Sequence, residues 1–162
     1  MRIIKLAIIS FVFLFLIVTA ISLLIPSHIR ISKAANYALK KETIILLVKN
    51  KESWRQWHPA FMNDTITWNK KISFSLQSAN DSLIVWKMEQ PKKNPVINGW
   101  QIYTYPGADS LTLQWYMDFD LPWYPWQKFG SLFYENTYGV MMEQGLHNLK
   151  TALNPQKTSL PE

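Results

Sequence analysis

Twenty consecutive residues, Leu6 to Ile25, carry no charge, and only Ser10, Thr19 and Ser22 among them are polar. A backbone in hydrocarbon must satisfy its own hydrogen bonds, and a helix does so within one segment. Twenty helical residues reach ~30 Å, the thickness of a bilayer's hydrocarbon core. Arg2 and Lys5 precede the run and Pro26 closes it. A cleaved signal peptide shares these flanks, with Val18 and Ala20 as a small-residue cleavage site. The run nevertheless continues through Ile21, Leu23, Leu24 and Ile25, past the ~7–15 residues of a signal core. The expectation is a retained single-pass anchor over residues 1–26, with membrane contact through 6–25. Cations flank it on both sides, since Arg30, Lys33, Lys40 and Lys41 follow closely. Long domains cross largely regardless of charge, which favours a main domain outside the cytoplasm.

Behind the anchor the chain reads as one domain over 27–154, with a flexible tail over 155–162. The 162 residues include eight tryptophans and are only 17% charged, a balance that suits a packed core rather than disorder. The absence of cysteine excludes a disulfide scaffold, a thiolate metal site and a cysteine nucleophile. Charge is uneven: residues 1–93 carry 14 cations and 5 acids, whereas 94–162 carry 3 and 6. A basic side beside an anchor suits anionic lipid headgroups. No block of five like charges occurs, so no nucleic-acid partner is indicated.

Alternation marks the strands. From Ser110 to Asp120, Leu111, Leu113, Trp115, Met117 and Phe119 share one face, and Thr112, Gln114, Tyr116, Asp118 and Asp120 the other. Earlier strands pass through Ile66 and Trp68, then Ile72, Phe74 and Leu76, then Ile84, Trp86 and Met88. The next sets Trp100 and Ile102 against Tyr103 and Tyr105. Short turns at Ala79–Ser82, Pro91–Pro95 and Pro106–Asp109 favour antiparallel neighbours. Helical spacing appears at Ile44, Leu47 and Val48, and again at Trp54 and Trp57, with Pro59 expected to stop that helix. From Pro125 onward Phe129 pairs with Phe133, and Met142, Leu146, Leu149 and Leu153 form an apolar stripe that Gly139 divides from what precedes it.

The order is anchor, a first strand near Ile29–Tyr37, two short helices, an antiparallel meander and a C-terminal helix. With His28-Ile29-Arg30-Ile31-Ser32, Trp54-Arg55-Gln56-Trp57-His58-Pro59 and the terminal Met142–Lys150 segment, the chain resembles the START-like (SRPBCC) superfamily. The likeness is to membrane-anchored polyketide cyclase/dehydrase-type members. That resemblance implies an α+β helix-grip fold, a bent antiparallel β-sheet wrapped around a long C-terminal helix. It also implies a cavity between sheet and helix for a hydrophobic small molecule or lipid. The expected lining is Trp54, Trp57, His58, Trp86, Trp100, Met141, Met142 and Gly145, with glycine leaving room and methionine supplying adaptable walls.

Enzymatic chemistry finds little purchase. His28, His58 and His147 stand 30 and 89 residues apart, so no metal-ligand pair forms, and neither metal nor cofactor is implied. His58, beside Trp57, is the candidate general base. Asp118 and Asp120 project from the same face of one strand and could share a proton, but that face is the polar one. An alternative to ligand binding is therefore a cyclase/dehydrase- or hydrolase-type enzyme using His58 or Asp118/Asp120; another is an envelope interaction module with a filled core. Trp123-Tyr124-Pro125-Trp126 offers a gate, a lipid contact or a structural hinge.

Overall fold

A computed structural model of the protein describes residues 2–62 and 72–153. Helix α1 (Arg2–Ser22) leads into strand β1 (His28–Tyr37). Helix α2 (Lys41–Lys49), a 3₁₀ segment (Lys51–Gln56) and the one-turn helix α3 (Pro59–Met62) follow. Strands β2 (Ser73–Ala79), β3 (Leu83–Glu89), β4 (Val96–Thr104) and β5 (Leu111–Asp120) form the meander. Helix α4 (Pro125–Ser131), a π-helical turn (Glu135–Gly139) and helix α5 (Val140–Leu153) close the chain. The strands make one antiparallel sheet in the order β1-β5-β4-β3-β2. The expected strand through Ile66 and Trp68, and the tail over 155–162, lie outside the described residues.

The clearest alternation in the sequence governs the sheet's centre. Leu111, Leu113, Trp115, Met117 and Phe119 are all buried, while β5's other face meets solvent or the polar face of β1. The register sets His28 opposite Asp120 and Arg30 opposite Asp118, so cross-strand charges pair on the outer face. The Arg30 guanidinium holds Asp118 through two bonds of 2.6 and 2.7 Å and also lies 4.3 Å from the Tyr116 ring.

The helices cover the inner face. Met142, Leu146 and Leu149 of α5 are buried there, and the Tyr37 hydroxyl of β1 donates to the Leu146 carbonyl at 2.8 Å. Two sequence expectations need correction. Pro59 does not end the helical stretch but opens α3, since proline's missing N–H is harmless in a first turn. The Phe129/Phe133 pair does not form a core face, for Phe133 is exposed. The break between α4 and the π turn rotates the chain, and Tyr134 and Tyr138 pack onto Phe119 instead.

Helix α1 is long and apolar enough to cross a membrane, and of its residues only Ser22, at its end, is buried. Its exit is fixed to the domain by the buried Lys128, whose ammonium donates to the Ile25 carbonyl and the Ser27 hydroxyl, each at 2.7 Å.

Gly145 is where α5 comes closest to the sheet. A Cβ there would stand 2.7 Å from the Trp115 ring and 3.1 Å from Pro59, both rigid neighbours. Gly145→Ala is expected to destabilise the domain by about 1–3 kcal/mol, the usual range for overpacking, measured by thermal unfolding of the full chain in detergent. An unchanged midpoint would show that α5 can move off Trp115 freely.

Candidate functional site

The tryptophans expected around a cavity do meet, but they fill the space. Trp54, Trp57, Trp100 and Trp115 are all at most 1% exposed. Trp100 and Trp115 stack at 5.4 Å, and Trp54 lies 5.2 Å from Trp86 and 5.4 Å from Trp100. Met142 is buried beneath them, Met141 is half-buried, and Gly145 abuts Trp115.

His58 is enclosed by Trp54, Trp57, Phe61 and Trp115. Its Nδ1 accepts from the Ala60 N–H at 3.3 Å, which fits a neutral ring. Burial pulls its pKa down to about 3 from the ordinary 6.5, against a weaker opposing hydrogen bond to its own backbone. Arg30 holds Asp118, and His28 lies beside both carboxylates, its Nδ1 2.8 Å from Asp120 and its Nε2 3.9 Å from Asp118. His147 is exposed on α5. Among the described residues, no group of three or more metal-ligating side chains converges.

Open space lies at the other end of the sheet. A cleft of about 470 Å³ runs between the sheet residues Met88, Val96 and Phe119 and the helical residues Tyr134 and Tyr138. Leu121, Pro122, Tyr124 and Gln127 form a further wall, and Lys92, Lys93 and Asn94 stand at the rim. Its volume falls within the ~300–1,000 Å³ of small-molecule sites. Helix α5 begins only at Val140, and the chain before it lays Tyr134 and Tyr138 against Phe119, where they form the helical wall of the cleft. Burial raises the Tyr138 hydroxyl's pKa, helped by the nearby Tyr134, so the phenol is a neutral donor. The Asn94 amide ties the β3–β4 turn to the Asp120 carbonyl at 2.7 Å. A second hollow of about 750 Å³ has Phe61, Trp86 and Arg55 in its walls.

None of the eight side chains expected to line a cavity lines this cleft; Trp86 alone borders the second hollow. The cleft's own residues carried signals of a weaker kind. Tyr134 and Tyr138 are four apart, and Lys92-Lys93 sits inside the Pro91–Pro95 turn. Neither pattern shows which end of the sheet would stay uncovered.

The chain matches no family model and no curated relative. It does align with solved structures. The di-domain ARO/CYC StfQ from the steffimycin biosynthetic pathway superposes at a TM-score of 0.58 and 10% identity, over 80% of this chain and 51% of that one. CalU16 from Micromonospora echinospora gives 0.55 and 9%, over 80% and 77%. XoxI from Bacillus cereus gives 0.54 and 12%, over 76% and 94%. The sheet gripping a C-terminal helix is what these chains share. The fold is START-like. At such identities the START-like likeness is one of architecture, and the site must be read from its own residues.

The buried His58 makes stability depend on pH. The unfolded chain protonates this ring near 6.5, whereas the folded one resists until about 3; between those values the unfolded state binds the extra proton. Stability is therefore expected to fall as pH drops through that window, by up to about 1.4 kcal/mol per pH unit from this residue. Urea unfolding of wild type and His58→Gln checks it: the variant should show the shallower slope, and parallel curves would assign the dependence to other groups.

Proposed function

We propose that the protein is a membrane-tethered START-like domain that binds an amphipathic hydrophobic molecule with an anionic head in the cleft between the strand ends and Tyr134/Tyr138. The observation that carries this reading is where the cleft opens. Asp120, on its wall, pairs with His28 at the start of β1, just after α1. Gln127, on another wall, precedes the Lys128 that clamps the exit of α1. A lipid leaving the bilayer beside α1 meets this mouth first.

The lining fits such a guest. Met88, Val96, Phe119, Leu121 and Pro122 supply apolar wall, and Tyr138 a neutral donor. Lys92 and Lys93 supply positive charge, and neither enters an ion pair among the described residues. Lys92 holds φ at 62°, in the left-handed region where an L side chain costs roughly 1–2 kcal/mol. Glycine is the residue that fits there without strain, so a lysine at the rim points to use of its charge. Of the candidate acid–base residues His58, Asp118 and Asp120, only Asp120 lines the cleft, where it pairs with His28.

The test is organic extraction and native mass spectrometry of the full chain purified in mild detergent, followed by titration with phosphatidylglycerol and phosphatidylcholine. A reproducible bound lipid, reduced several-fold by Gln127→Trp at the rim, is expected. Lys92→Gly should leave stability unchanged or raise it by about 1 kcal/mol while weakening the anionic lipid selectively. The absence of both a co-purifying molecule and any thermal stabilisation by the lipids would overturn the binding reading.

A further inference from the structure

Helix α4 is inside out for a helix in water. Its buried residues are Pro125, Lys128 and Ser131, whereas Trp126 is 63% and Phe133, just past its end, 65% exposed. Water selects the opposite arrangement, with lysine outward and aromatics inward. The buried face has a local cause: the Lys128 ammonium is spent on the Ile25 carbonyl and the Ser27 hydroxyl, locking α4 against the exit of α1. With Lys128 turned in, Trp126 and its aromatic neighbours are left exposed on a helix that adjoins the end of α1.

The aromatics form a continuous surface. Trp123 and Tyr124 rings lie 5.0 Å apart, and Tyr124 stacks on Trp126 at 5.0 Å with 11° between planes. Leu132 is exposed beside Phe133. Tryptophan and tyrosine favour the membrane–water interface, where an apolar ring and a polar N–H or O–H are both accommodated. The cations Lys92 and Lys93 stand across the cleft from Tyr124, within reach of headgroups rather than tails.

We infer that the α4 face, Trp123, Tyr124, Trp126, Leu132 and Phe133, is an interfacial docking surface that sits in the headgroup layer of the bilayer α1 enters. It rests on the tether proposed above. The tether supplies proximity, and the α4 face fixes orientation, holding the cleft mouth against the lipid rather than letting the domain tumble on its linker. The occupant is the lipid surface because α4 packs beside the end of α1, a helix long and apolar enough to cross a membrane.

The chain has no cysteine, so one introduced cysteine carries a unique nitroxide. Full-length Trp126→Cys, Phe133→Cys, Leu14→Cys and Ala108→Cys are labelled and reconstituted in vesicles of phosphatidylcholine with phosphatidylglycerol. Collision rates with oxygen and with a water-soluble nickel chelate then report depth. Ala108, exposed in the β4–β5 turn at the far end of the sheet, is the aqueous reference. Oxygen collisions several-fold higher and nickel collisions several-fold lower at 126 and 133 than at 108 are the expected result, with 14 deeper still. A label at 14 inside the bilayer but labels at 126 and 133 as wet as 108 would overturn the docking surface and leave the tether standing. A wet label at 14 would overturn both. Nickel protection at 126 and 133 without oxygen enrichment, growing with protein density, would overturn docking in favour of contact between two copies.

Discussion

The contact between Trp115 and the bare backbone of Gly145 sets how much room this START-like fold encloses. Trp115 is fully buried at the centre of β5, stacked on Trp100 and 5.8 Å from Trp57. With no side chain at Gly145, α5 settles directly onto that ring. A sheet gripping a helix has a fixed circumference, so bulk placed at its middle is space removed from any interior cavity. The open volume lies at the strand ends, before α5 begins, where Tyr134 and Tyr138 pack on Phe119 and wall the cleft.

The filled interior carries a cost. The indole N–H groups of Trp57, Trp86, Trp100 and Trp115 are buried with no hydrogen-bond partner among the described residues, whereas that of Trp54 reaches the Val48 carbonyl at 2.9 Å. An unmade bond costs roughly 1–3 kcal/mol. Burying an indole removes on the order of 200 Å² from water, about 5 kcal/mol at ~25 cal/mol per Å². Burial wins for each ring, and edge-to-face contacts among them add to it. The same balance explains the neutral His58: a ring in that aromatic shell has no counter-ion, so its proton is what it gives up.

The sheet was legible because its signal is local and doubled. Alternation over β5 states both the strand and its buried face, and the charges on the other face find partners on β1. The C-terminal stripe of Met142, Leu146 and Leu149 was legible for the same reason. The cleft was not. Its walls come from three separated stretches, around Met88–Val96, Phe119–Gln127 and Tyr134–Tyr138, the last of which follows the break after Ser131. Phe129 and Phe133 show how the sequence misleads there. Their spacing of four fits an apolar face, yet the face that turns inward is fixed by Lys128, whose partners on the α1 exit, Ile25 and Ser27, are a hundred residues earlier in the chain. A lysine in a sequence reads as solvent; only the tertiary clamp makes it core.

That clamp also joins the parts of the proposed function. A buried ammonium is tolerable when its protons are satisfied, and here two acceptors come from the segment connecting α1 to the domain. The linker between α1 and β1 is therefore not a free tether, since both the strand that follows and the helix packed beside it hold it. Orientation relative to α1 is built into the fold, and three features fall at one end as a result: the apolar helix, the outward aromatics of α4 and the mouth of the cleft. With Trp54, Trp57, Trp100 and Trp115 buried at the middle of the domain, the cleft at this end is where the proposed guest would find room.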